Sequence, residues 1–258
     1  MSVLLSIDNG IATVTLNRPE KKNALNVEMR EALCDILQKL RYHNDVRVII
    51  VTGNGDSFCS GGDVGRMDEK NDIRGYRENL QRMSHQYMRT LHAIEKPVIA
   101  AVRGACVGIG WSIALGCDMV VASETTKFSQ RFRRIGLAPD GGAIWFLTRR
   151  IGTLRAKELV YSARFVDAQE ALSLGLVNKV VEDAKLMDVA QAMAADLATA
   201  PTFALGLAKK LFNFAEGPSL EDFLELEVLV QPQLRSGHDH QEGVAAFKEK
   251  RDPKFRGR

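Results

Sequence analysis

Two apolar runs, "VRVIIVTG" at 46–53 and "PVIAAVRG" at 97–104, pass directly into glycine-rich stretches, "NGDSFCSGGDV" at 54–64 and "ACVGIG" at 105–110. A short unbroken apolar run bounded by turn residues reads as a strand buried on both faces. Each is followed by a helical pattern, at 72–94 and at 111–116, and "DMVVAS" at 118–123 supplies another strand. Repetition of strand, glycine loop and helix restricts the chain to an α/β core.

The remaining sequence fits around this core. "VLLSI" and "IATVTL" flank Asp8-Asn9-Gly10, the strongest short signal for a hairpin. Met29, Leu33, Ile36, Leu37 and Leu40 recur at helical spacing, predicting an amphipathic helix over 28–42. "GGAIWFLTRRIG", "LRAKELVYSA" and "DAQEALSLG" read as helices and "LVNKVV" as the last strand. From Asp183 onward only helical patterns occur. We therefore expect an α/β body over 1–195 and a helical region over 196–258, whose apolar faces need the body or another subunit to cover them.

Composition narrows the function classes. A net charge of +3 is too small to indicate a nucleic-acid or membrane-surface partner. No apolar stretch reaches the ~18 residues of a membrane span, and the first residues carry no secretory pattern. The four cysteines are scattered, the histidines form no H-x-x-x-H pair, and His238 and His240 lie in the polar "SGHDHQEG", which reads as a loop, so a reduced, cytoplasmic protein without a metal site is expected.

The chemistry concentrates in the loops. Glycines let main-chain N–H groups approach a ligand closely, and a helix start adds unpaired donors and a positive dipole end. Residues 58–63 and 104–110, meeting in space, could hold an oxyanion. A dinucleotide fingerprint is excluded, because Gly104, Gly108 and Gly110 have the reverse of the G-x-G-x-x-G spacing, and no phosphate-binding G-x-x-x-x-G-K motif occurs. Asp140 is the only acid between Glu124 and Glu158, in "RIGLAPDGGAIW". It either caps the helix that follows or moves a proton.

Taken in order, "NRPEKKNALN" (17–26), "FCSGGDV" (58–64), "PVIAAVRGACVGIGWSIALGCD" (97–118), "FSQRFRRIGLAPDGG" (128–142), "AQEALSLGLVNKVV" (168–181) and "EGVAAFKEKRDPKF" (242–255) resemble the enoyl-CoA hydratase/isomerase, or crotonase, family across nearly the whole chain. The resemblance implies a spiral of ββα units with a helical C-terminal region used in trimer formation, as a homotrimer or a dimer of trimers. It implies an acyl-CoA thioester substrate, with coenzyme A as part of that substrate and no separate cofactor. The family's two oxyanion-hole N–H groups fall on Gly62 and Ile109, each such donor being worth about 3–4 kcal/mol to a developing thioester enolate. Coenzyme A contacts fall on Lys22, Ala24, Leu25, Ser60 and Asp63, with Asp63 also orienting its loop, and on Phe247 and Lys250 of the last helix, on the same or a neighbouring subunit. Ser112, Phe132 and Met67 fall at the acyl pocket.

The chain departs from the family's hydratases where it matters most. Their two glutamates fall on Ser112 and Phe132, neither of which ionises usefully. Other members carry a working acid eight residues after the second position, in a loop of Pro, an acid, any residue and Gly; Phe132 plus eight is Asp140. Shifting a double bond needs one base that takes a proton from one carbon and returns it two carbons away. The expectation is therefore an isomerase with Asp140 as shuttle acid, its pKa raised by an apolar pocket of Phe132, Ile144 and Trp145. A hydratase, hydrolase or decarboxylase, or a non-catalytic acyl-CoA-binding protein, are the alternatives. Asp68, Glu69, Asp72 and Glu78 border the expected pocket, as do His85 and His92, and Asp118 reads as a structural hydrogen-bonding group.

Overall fold

The computed structural model describes residues 1–66, 72–215 and 217–257. Strands β1 (Val3–Asp8) and β2 (Ile11–Leu16) form the antiparallel hairpin, turning at Asn9 and Gly10, both with positive φ. Helix α1 (Val27–Arg41) starts where the Asn26 side chain accepts from the Met29 N–H. It leads to β3 (Val48–Gly53), then to α2 (Ile73–Asn79) and α3 (His85–Ala93), joined through a π-helical turn at Leu80–Ser84. Strands β4 (Val98–Val102) and β5 (Ala105–Val107), helix α4 (Ile109–Gly116), and strands β6 (Met119–Ser123) and β7 (Lys127–Ser129) follow. Helix α5 (Ala143–Ser162) is broken at Gly152; β8 (Val166–Asp167), α6 (Ala168–Ser173) and β9 (Lys179–Val181) complete the strands.

Six strands form one sheet in the order β1-β2-β3-β4-β6-β9, parallel from β2 onward, and β5-β7-β8 form a second. This is the expected α/β spiral. The register alternates the strand side chains between two cores. Ile49, Val51 and Ala100 face Leu33, Leu37, Leu91 and Trp111. Val48, Ile50, Ile99 and Val121 face α7 (Leu186–Thr199), through Leu186, Ala190, Ala194 and Ala198. At ~25 cal/mol per Å² of apolar surface, this two-sided burial is the main stabilising force. Because α7 closes the second face, it belongs to the body and runs unbroken past the boundary expected at 195.

Helices α8 (Thr202–Phe214), α9 (Leu220–Arg235) and α10 (His238–Glu249) form the tail. Lys209 on α8 joins it to the body, donating to Asp118 Oδ2 and to the Leu91 carbonyl, both at 2.8 Å. Asp118 also accepts from the Val98 N–H at 2.8 Å, the structural role its position suggested. Leu220, Val228, Leu229, Val244 and Phe247 stay exposed on α9 and α10. Among the described residues no helix is long and apolar enough to cross a membrane.

Candidate active site

Three loop segments run side by side at one end of the sheet. The Cys59 N–H donates to Ala105 O and the Val107 N–H to Cys59 O, both at 2.9 Å, so residues 59–62 lie parallel to 105–108. On the other side the Leu25 N–H donates to Gly61 O at 2.8 Å, and the Asp63 N–H to Leu25 O at 3.1 Å. Gly61 (φ +111) lets the chain pass close to Val107, where a Cβ would sit 3.3 Å from the carbonyl oxygen. Gly62 and Ile109 line the same cavity, and no described residue accepts from the N–H of either. Ile109 is the first residue of α4, so its N–H also lies at the positive end of the helix dipole.

These groups open on a cavity of about 390 Å³ lined by Leu25, Ser60, Gly62, Asp63, Ile109, Phe132 and Asp140 from the expected set. Asp140 does not cap the following helix. Helix α5 begins at Ala143 with Gly142 as its cap residue and no side-chain cap bond, which removes the capping alternative. One carboxylate oxygen, Asp140 Oδ1, is buried without a hydrogen-bond partner among the described residues. Burial pushes the Asp140 carboxyl up from the ordinary carboxylate value, while the positive fields of Arg30 and His85 pull it back.

The cavity's other described carboxylate is already engaged. Asp63 Oδ2 accepts from Arg18 Nη1 at 3.0 Å, and the same nitrogen donates to the Ala24 carbonyl at 2.7 Å. Arg18 thus ties the Ala24 loop to the Gly62 loop. Asn23, fully buried at φ +55, completes the tie by donating to Asn54 O (2.9 Å) and Ser57 O (2.7 Å). Ala24 is half-buried, Lys22 is exposed, and the Lys22 carbonyl accepts from the Ser60 N–H at 2.9 Å.

Several expected groups lie elsewhere. Ser112 is fully buried in α4 and does not line the cavity; its Oγ donates to the Asp140 carbonyl at 2.9 Å. Ile144 and Trp145 do not wall the cavity either. Helix α5 turns Trp145 toward His92, Phe146 and Arg149 around a separate hollow, and the apolar wall is made instead by Phe132, Leu80, Met83 and Leu137. His92 follows Trp145 away from the site. Asp72 caps α2 by accepting from the Gly75 N–H, and Glu78 pairs with Arg74. Phe247, 87% exposed, lines a separate cavity of about 470 Å³ in the tail, and Lys250 ends α10, so neither reaches Asp140's cavity within one chain. Met67, Asp68 and Glu69 lie outside the described residues.

Sequence reasoning missed Arg18, Asn23 and Arg30. The first two stand in "NRPEKKNALN", where adjacent positive-φ residues Lys22 and Asn23 are visible only in three dimensions. Arg30 occupies a polar position of the amphipathic α1 pattern, and nothing local separates a cavity-facing arginine from a solvated one.

Comparisons with known proteins identify the family and the fold. The family described as enoyl-CoA hydratase/isomerase matches residues 6–258. The chain is 38% identical to the 1,2-epoxyphenylacetyl-CoA isomerase of Escherichia coli K12, over 99% of this chain and 98% of that protein. It is 34% identical to the short-chain-enoyl-CoA hydratase of Clostridium acetobutylicum, over 97% and 95%. The crystal structure of an enoyl-CoA hydratase from Bacillus anthracis superimposes with a TM-score of 0.95 at 31% identity, covering both chains fully.

Proposed function

The chain belongs to the enoyl-CoA hydratase/isomerase family, and from that premise we propose that it is an enoyl-CoA isomerase with Asp140 as its single proton shuttle. The observation that carries the reading is the orphaned, buried oxygen of Asp140 beside a cavity whose other described carboxylate is held by Arg18. A buried acceptor without a partner costs about 1–3 kcal/mol, a cost that is offset when a substrate proton arrives.

In this mechanism the thioester oxygen accepts from the Gly62 and Ile109 N–H groups. Asp140 takes a proton from C2 of a 3-enoyl thioester, and the C2–H electron pair becomes the enolate. The enolate re-forms the carbonyl as the C3=C4 pair takes the proton from Asp140 at C4, leaving the double bond at C2=C3. The oxyanion donors stabilise the charge between the two transfers without moving. Phe132 keeps that side of the cavity apolar, which excludes a competing water. Coenzyme A lies along the Ala24–Leu25 loop and Ser60, with Lys22 near its phosphates. In a homotrimer or a dimer of trimers, the exposed faces of α9 and α10 would be covered, and Phe247 and Lys250 would reach the coenzyme A bound to a neighbouring copy.

The test is to assay 3-enoyl-CoA isomerisation and 2-enoyl-CoA hydration with purified protein and with Asp140→Asn. The expected result is isomerisation by the wild type and a fall in kcat of about 10²–10⁴-fold in the variant. Isomerisation unaffected by Asp140→Asn overturns the assignment. Water addition as the main activity, insensitive to that change, makes the protein a hydratase instead.

A further inference from the structure

We propose that Ser112 is a positioning residue for Asp140, its hydroxyl fastening the Asp140 main chain to the helix turn that carries the Ile109 N–H. The proposal rests on the reading of Asp140 as the proton shuttle. Ser112 Oγ lies 2.9 Å from the Asp140 carbonyl and 3.3 Å from the Gly108 carbonyl. A hydroxyl has one proton to give. Each carbonyl also accepts one main-chain N–H, Gly108 O from Ser112 at 3.1 Å and Asp140 O from Ala143 at 3.2 Å, so the hydroxyl proton goes to the shorter of its two contacts, Asp140.

This bond fastens the end of an exposed, glycine-rich loop to α4. Gly136, Gly141 and Gly142 all have positive φ, and residues 133–138 are exposed. Among the described residues, no other hydrogen bond joins residues 138–142 to an element outside the loop and α5. Packing reinforces it. Gly141 sits so tightly on α4 that a Cβ there would lie 2.9 Å from Ser112 Cβ and 2.3 Å from Ile109 Cδ1. The first turn of α4 therefore does two jobs. It presents the Ile109 N–H to the thioester oxygen, and it fixes the distance from that oxygen to the carboxylate.

Ser112 never touches substrate, since it is fully buried and outside the cavity lining. Its loss should leave binding intact and slow the chemical step. A shift of about 1 Å in a reacting group costs up to roughly 10²-fold in rate. The experiment compares wild type, Ser112→Ala, Ser112→Cys and Asp140→Asn for kcat and KM with a 3-enoyl-CoA, with thermal melting of each. Cysteine is somewhat larger but keeps a weak donor; Cys117, which caps the same helix, already directs its Sγ to a main-chain carbonyl, Ile113 O, at 3.3 Å.

The expected result is a kcat about 10- to 100-fold lower in Ser112→Ala, KM within about twofold of wild type, and an intermediate kcat in Ser112→Cys. An unchanged kcat in Ser112→Ala while Asp140→Asn is inactive overturns the positioning role and leaves the shuttle reading standing. A loss confined to KM overturns it as well. Full activity in Asp140→Asn overturns the shuttle reading itself, and the positioning role with it.

Discussion

The contact between Gly141 and α4 makes a quantitative prediction. Gly141 has φ +61, and a Cβ there would approach Ile109 Cδ1 to 2.3 Å and Ser112 Cβ to 2.9 Å. The Ile109 methyl terminates a side chain and can swing aside. Ser112 Cβ is one bond from the α4 backbone, so there the loop or the helix must move. For Gly141→Ala the left-handed conformation costs about 1 kcal/mol and the overpacking about 1–3 kcal/mol. The sum of about 2–4 kcal/mol lowers Tm by about 4–16 °C in a domain of this size. Because the displaced groups carry the Ile109 N–H and Asp140, kcat should fall by up to about 10²-fold. Gly175→Ala is the control. It has φ +75 with nothing within 4 Å of the new methyl, so it meets the conformational cost alone, about 1 kcal/mol, and keeps full activity. Calorimetry and isomerase kinetics on the two variants separate strain from contact. If Gly141→Ala is no less stable and no less active than Gly175→Ala, the tight seating of the Asp140 loop on α4 has no energetic or catalytic weight, and the reasoning fails.

Other perturbations test the electrostatics and the braces. Asp140 acts as a base when ionised, so the rate is lost as pH falls through its pKa. The positive field of Arg30 lowers that pKa, so Arg30→Met should move the acidic limb of kcat/KM to higher pH while Arg30→Lys leaves it nearly in place; an unmoved limb in Arg30→Met refutes the coupling. A carboxyl raised by burial binds its proton more tightly folded than unfolded, so its ionised form destabilises the fold. Asp140→Asn should therefore raise Tm by about 2–4 °C, equivalent to about 1 kcal/mol, above the folded pKa. The gain should vanish as pH falls toward the unfolded value of about 3.9; a Tm difference independent of pH contradicts this. Arg18→Met removes the links to both Ala24 and Asp63; KM for the thioester should rise about tenfold with kcat nearly constant, and a fall in kcat alone would place Arg18 in the chemistry instead.

What the sequence made legible follows from how local each signal is. The Asn9-Gly10 turn, the α1 stripe and the buried runs of β3, β4 and β6 are set by neighbours within a few residues, and all appear in the fold. Strands β5, β7 and β8 are two or three residues long, too short for any period to register. Asp140 stood out as an isolated acid among Pro and Gly, and 58–63 and 104–110 as glycine-rich loops, whereas Gly62 and Ile109 themselves were singled out by the motif resemblance. Their convergence depends on the Cys59–Cys106 pairing between distant segments, which only the motif resemblance anticipated. Trp145 was assigned to the cavity because it follows Asp140 closely, but α5 starts at Ala143 and its phase carries the ring to the far side. Ser112 sits in a helix that is buried on every residue from Ile109 to Gly116, where a serine gives no sign of the carbonyl it serves.

The choice between hydration and isomerisation comes down to how many free acids face the acyl chain. Adding water across a double bond takes one group to activate the water and a source for the proton that ends on the α-carbon. Moving the bond needs a single carboxylate that gives back what it took. Here the Arg18 guanidinium engages Asp63, a fully buried serine sits outside the cavity lining, and Phe132 contributes a ring at the position where the resemblance puts a hydratase glutamate. Among the described residues a second proton carrier is thus withheld at three places by three different means: an ion pair, burial and an apolar side chain. Restoring carboxylates by Phe132→Glu together with Ser112→Glu should therefore not add hydration to the existing activity. It would break the Asp140 fastening and place two further charges beside a carboxyl already strained by burial, so isomerisation should fall before hydration appears. Hydration gained with isomerisation intact would mean that Ser112 and Phe132 contribute nothing to keeping the site a one-acid machine.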